Sequence, residues 1–234
     1  RHGDMALAFC IRHIEENNLA TVTNYSQYLE LNPPKHIVEI HENSSWSCVH
    51  GIERWRSNCG CNTGGRPNWN QEWRKPLRES LDWLRENLEK LYVKELKKYH
   101  VDPWEIRNKY IEVLLDRDPD ESEQFLEREF GKITRDEKVH LMRLLEMQRH
   151  ELLMYTSCAW FFDEISGIET VQVLQYACRA IQLAESQSNL NLHTQFLKRV
   201  SEAKSNMRDI ADGADVYTRY VLPSQLTLTQ IGMH

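Results

Sequence analysis

Downstream of residue 75 the apolar positions recur with the period of an α-helix, and the pattern continues over most of the chain. In "PLRESLDWLRENLEKLYVKEL", Leu77, Leu81, Leu84, Leu88 and Leu91 stand at spacings of four and three, which draws one apolar stripe along a helix with Pro76 in its first turn. "DPWEIRNKYIEVLLD" predicts a second helix opening on Asp102-Pro103, and "DESEQFLEREFG" a third closing on Gly131. A long helix is expected over "TRDEKVHLMRLLEMQRHELLMYTSCAWFF", where Thr134 and Glu137 have the spacing of a capping box. "GIETVQVLQYACRAIQLAES" carries Val171, Leu174, Ala177 or Cys178, Ile181 and Ala184 on one face, and "TQFLKRVSEAKSNMRDIADGADVYTRYV" completes the series. Helices joined by such short connections predict a bundle over residues 76–222.

The first 43 residues read differently. "GDMALAFCIRHIEENN" has a helical period, and between Leu19 and His41 two β-like runs, "ATVT" and "HIVEI", flank the amphipathic "NYSQYLEL" and the breaker Pro33-Pro34. This order is expected of the last strands of an α/β unit. A helical pattern begins almost at Arg1, and the chain stops at "LTLTQIGMH" without a terminating signal, so it reads as a piece of a longer protein. Residues 223–234 are then a linker or the start of a following segment.

Composition narrows the function classes. With 234 residues, of which 41% are hydrophobic and 27% charged, the chain is expected to bury a core. A net charge of -6 gives no electrostatic case for nucleic acid or an anionic membrane. No apolar run reaches the roughly 18 residues of a membrane span, and no export signal precedes the first helix, so a cytoplasmic protein is expected.

Residues 44–75 carry the unusual chemistry. "SSWSCVHGIERWRSNCGCNTGGRPNWNQEW" holds four tryptophans, three cysteines and three arginines without a helical or strand period. Indole rings on a loop can stack on the apolar face of a sugar while Arg, Asn and Gln hydrogen-bond its hydroxyls; alternatively Trp55, Trp69 and Trp73 staple the loop to the bundle. Cys48, His50, Cys59 and Cys61 supply a nominal set of zinc ligands. Their C-x-H and C-x-C spacing departs from the usual wider gap, however, and free or loop-packed thiols are expected, with no metal or cofactor assigned. Cys10, Cys158 and Cys178 fall within helical patterns and are expected in the core. Glu42, at the end of a β-like run and beside the loop, is the carboxylate best placed to face a cleft.

The stretches "GDMALAFCIRHIEENN", "ENSSWSCVHGIERWRSNCGCNTGGRPNWNQEWRKPLRESLDWL" and "YTSCAWFFDEISGIETVQVLQYACRAIQLAE" resemble the carboxy-terminal domain of unknown function attached to family 57-type glycoside hydrolase barrels. The resemblance covers nearly the whole chain. It implies a mainly α fold: a C-terminal helical bundle preceded by the last β/α elements of an incomplete (β/α)7-type barrel. It also implies a retaining glycosidase or glucanotransferase acting on α-glucans through two carboxylates. Arg1-His2-Gly3-Asp4 resembles the trailing edge of the second catalytic motif, so both carboxylates are expected upstream, in an N-terminal catalytic barrel of the same chain, and no catalytic residue is assigned here. By the same resemblance Trp46 and Trp55 lie on a substrate-facing loop, and "AWFFDE", with Trp160 and Asp163, reaches toward the cleft. Its acidic residues follow the Trp, where the family form has them before it. His50 and Arg54 join them as candidate sugar contacts.

The expected role is therefore the far wall of a cleft for an α-glucan or oligosaccharide, inert alone. A non-catalytic helical interaction module predicts a protein partner and no saccharide binding. A small metal- or nucleic-acid-binding module built on the Cys/His and Trp/Arg loop predicts bound zinc or salt-dependent binding to single strands.

Overall fold

The computed structural model describes residues 2–116 and 118–225, which form two compact units, Arg1–Glu42 and Asn43–His234. The first unit consists of α1 (His2–Glu16), α2 (Tyr25–Leu31) and extended connections. Asn24 caps α2 by accepting from the Gln27 amide at 3.0 Å. Neither helix buries a side chain, and Ile37, Val38 and Ile40 are exposed. The expected strands "ATVT" and "HIVEI" do not form: among the described residues there is no strand, and the barrel elements are not seen. A β-like run needs a neighbouring strand to satisfy its ladder and cover its apolar face, and here each run has neither.

The second unit is helical. It comprises α3 (Arg74–Leu96), α4 (Pro103–Lys109), α5 (Ile111–Leu115), α6 (Pro119–Phe130), α7 (Arg135–Leu153), α8 (Ile168–Glu185), α9 (Leu192–Val200) and α10 (Gly213–Val216). The leucine stripe of α3 is buried along its length, and α3 packs against α7, α8 and α9, with α7 on α8. Thr134 and Glu137 make the expected capping box on α7. Among the described residues no helix is long and apolar enough to cross a membrane.

Three expected helices are shorter than their patterns. "DPWEIRNKYIEVLLD" breaks at Tyr110 into α4 and α5. The long pattern from Thr134 ends at Leu153, and Ser157–Trp160 forms a separate 3-10 turn. The last pattern breaks after Val200, where residues 201–212 fold back through an antiparallel bridge between Lys204 and Asp212. Gly213 makes that reversal possible, because a β-carbon there would lie 2.6 Å from the Val200 carbonyl oxygen. Residues 226–234, most of the expected linker, lie outside the described residues. Cys178 is buried as expected, whereas Cys10 and Cys158 are exposed.

Candidate functional site

Residues 44–73 contain one 3-10 turn, Glu53–Trp55, and little other regular backbone, so side chains fix their course. Arg54 is buried; it donates to the carbonyls of Ser47 (3.1 Å) and Phe161 (3.4 Å) and lies 5.1 Å from the Phe161 ring centre. Arg74, fully buried at the start of α3, donates to the carbonyls of Cys61 (2.8 Å) and Phe162 (3.3 Å). Asp163 accepts from the Thr63 amide and, at 2.5 Å, from its hydroxyl. Glu164 receives the Ser205 hydroxyl (2.6 Å) and the Asn206 amide (2.8 Å) from the reversal before α10. Backbone groups of a loop with little regular structure are thus met by charged side chains, which makes each bond stronger than a neutral one.

This arrangement borders a cavity of about 650 Å³. Its aromatic wall is Trp46, Trp55, Tyr155, Trp160 and Phe161. Trp46 is 90% exposed, its ring 5.8 Å from Phe161, and it leaves a broad indole face open to solvent. Trp55 is held by its indole N–H, which donates to Ser157 at 2.9 Å. Trp160 is buried, and its indole N–H reaches the Arg74 carbonyl at 3.4 Å.

The polar wall comes from helices. Arg78, Arg85 and Glu89 project from one face of α3, Arg107 from α4 and Glu151 from α7. Asp82, on the same face of α3, anchors this wall: it accepts from Arg78 Nε at 3.0 Å, Arg85 at 3.3 Å and the Tyr155 hydroxyl at 2.7 Å. Glu151 is almost fully buried. Burial first, and then the charge of Glu89, push its carboxyl up to about 8, against the opposing pull of Gln148, Arg107 and Arg85. At neutral pH it is therefore a neutral acid. Gln148 donates its Nε2–H to Glu151 Oε2 at 2.6 Å, the bond through which it opposes the rise.

Of the candidate residues, Trp46, Trp55 and Trp160 line one cavity. Arg54 and Asp163 are instead taken up by the internal bonds that hold the loop. Glu42 belongs to the other unit, where it is exposed. His50 lies with Cys48, Cys59 and Cys61. Cys48 Sγ is 3.8 Å from Cys59 Sγ, Cys61 Sγ and His50 Nδ1, and Cys61 Sγ is 3.5 Å from His50 Nδ1. Burial opposes ionisation of Cys48, but hydrogen bonds from His50 and Arg54 outweigh it and lower the thiol to about 6.

Sequence reasoning missed Tyr155, Glu151 and the α3 arginines. A signal existed for Glu151: with Gln148 it occupies the same helical face as Leu141 and Leu144, a polar pair on an apolar stripe. For Arg78, Asp82, Arg85 and Glu89 the spacing marks one helix face, but a charged face opposite a leucine stripe ordinarily reads as solvated.

No curated protein and no solved structure matches the chain. Residues 69–234, which include the whole helical bundle, match the family described as "Domain of unknown function (DUF3536)", and the chain belongs to that family.

Proposed function

We propose that this chain binds an oligosaccharide of the α-glucan class in the aromatic cavity and forms the far wall of a cleft completed by a preceding family 57-like glycoside hydrolase barrel. The observation that carries the reading is the convergence of five aromatic side chains with Arg78, Arg85, Arg107 and Glu89 around one cavity. A pyranose presents C–H bonds on its faces and hydroxyls at its rim. Indole faces match the former, while guanidinium and carboxylate groups match the latter. Glu151, carrying its proton, supplies a buried hydroxyl-type donor without a fixed charge. The assignment to α-glucans and to a preceding barrel rests on the sequence resemblance. On this reading the chain contributes binding and orientation, and the catalytic carboxylates belong to the barrel.

The test is tryptophan fluorescence and calorimetry of the full chain with maltooligosaccharides, with cellooligosaccharides as control. Saturable binding is expected, and Trp46→Ala should weaken it by about 1–2 kcal/mol, roughly 5- to 30-fold, without changing thermal stability. Absence of binding to the folded full chain, or equal binding by the variant, overturns the reading.

A further inference from the structure

The four ligand-type atoms of Cys48, His50, Cys59 and Cys61 all lie within 4.8 Å of one another, and they come from two short loops that approach the same point. A tetrahedral zinc ion with bonds of about 2.3 Å to sulfur and about 2.05 Å to nitrogen would set its sulfurs ~3.8 Å apart and its sulfur and nitrogen ~3.6 Å apart. The Cys48–Cys59 and Cys48–Cys61 separations are 3.8 Å, and the sulfur-to-nitrogen separations from His50 are 3.8 and 3.5 Å. A disulfide would need its sulfurs at about 2.05 Å, so none of these contacts is a covalent bridge.

The narrow spacing in the sequence is no obstacle in the folded loop. Gly60, between Cys59 and Cys61, has φ of +79°, a left-handed turn that lets both sulfurs face the same side. Charge is matched as well. Buried Arg54 and Arg74 flank the cluster, Arg74 donating to the Cys61 carbonyl, and among the described residues neither forms an ion pair with a carboxylate. A centre of three thiolates, one neutral imidazole and a divalent ion carries one net negative charge, and the Arg74 guanidinium, bonded to the Cys61 carbonyl, is the cation beside it.

We infer that Cys48, His50, Cys59 and Cys61 hold one zinc ion in a closed Cys3His centre. Four protein ligands leave no open position, so the ion is structural and not catalytic. Its effect is local. It joins residues 48–50 to 59–61 and so closes the loop that carries Trp55 and adjoins Trp46. The inference does not depend on the saccharide reading, because metal content can be measured without any sugar.

The full chain, produced without chelators or a metal-affinity step, should contain one zinc per chain by elemental analysis. Cys59→Ser and Cys61→Ser should each lose it, whereas Cys178→Ser, at a buried thiol elsewhere, should keep it. Cobalt exchanged into the unmodified protein should give thiolate charge-transfer and tetrahedral d–d absorption, which keeps the test decisive if the variants do not fold. Chelation should raise hydrogen exchange over residues 44–63 and spare α3, α7 and α8. Zinc-free protein with the loop already protected, iron as the native metal, or zinc retained in both variants would each overturn the inference.

Discussion

Replacing Glu151 by glutamine separates two buried titrations that hide one another in the unmodified protein. Glu151 has its carboxyl raised from 4.5 to about 8, with burial the leading cause. Its neighbour His150 has its imidazole lowered from 6.5 to about 4, again chiefly by burial. Between pH 4.5 and about 8 the folded chain keeps a proton on Glu151 that the unfolded chain has released. Stability therefore falls with rising pH across that window, by about 1.4 kcal/mol per pH unit and by at most about 5 kcal/mol in all. His150 has the opposite sign: between pH 4 and 6.5 the unfolded chain binds the extra proton, and stability rises with pH.

The two slopes cancel between about pH 4.5 and 6.5, and above 6.5 the Glu151 slope stands alone. The unmodified protein should lose roughly 2 kcal/mol between that point and the carboxyl's own titration. Glu151→Gln keeps the shape and the contact with Gln148 but removes the titration. Its stability should rise by about 3 kcal/mol through the histidine window and then stay level. Urea denaturation followed by far-ultraviolet circular dichroism, at pH values from about 4 to about 9, measures both profiles. Parallel curves for the two proteins would refute the reasoning, since a carboxyl that ionises equally in both states contributes no difference.

Three further outcomes test the packing of the helical unit and its loop. Asp163→Ala removes the acceptor for both groups of Thr63 and should cost about 1–3 kcal/mol, with limited proteolysis gaining a cut near Gly64. Gly213→Ala places a methyl 2.6 Å from the Val200 carbonyl oxygen and should destabilise by about 1–3 kcal/mol in thermal denaturation. Thr134→Ala removes half of the α7 capping box and should cost about 1 kcal/mol, read in the same thermal assay as a fall in midpoint with no change in the metal or sugar measurements.

The helical bundle was legible because each long helix carries its own apolar stripe, and Leu77 to Leu91 on α3 need no knowledge of partners to be placed inside. The first unit was read less well. "ATVT" and "HIVEI" have strand composition, but a strand exists only with a neighbour, and that neighbour is not specified by the run itself. The helix ends after Leu153 and Val200 were also hidden, since the backbone leaves the helix there for tertiary reasons: Thr170 donates to the Ala159 carbonyl at 2.9 Å, and Glu164 receives the reversal at Ser205 and Asn206. Trp46, Trp55 and Trp160 were expected at a cleft through the family resemblance, and the structure gathers them at one cavity; Tyr155 was missed because its partner Asp82 lies far away in the chain, and Glu151 because a polar pair on an apolar stripe does not name its partners.

The same long-range bonds explain why the cavity and the Cys/His cluster are parts of one construction. The segment from Ser44 to Trp73 has little backbone pairing of its own, so its polar groups must find partners elsewhere. They find them in residues 157–164: Trp55 on Ser157, Arg54 on Phe161, Arg74 across to Phe162, and Thr63 on Asp163. Of these partners, Ser157 and Phe161 line the cavity, and Phe162 follows Phe161 in sequence. A change that loosens the cluster therefore shifts Trp55 relative to Phe161 and Trp160, whereas a change confined to the leucine stripe of α3 lowers stability without altering the shape of the wall. Chelation and core substitution should accordingly differ in effect at equal loss of stability: the first should abolish sugar-dependent tryptophan fluorescence in protein that is still folded, and the second should leave that signal intact until the chain unfolds.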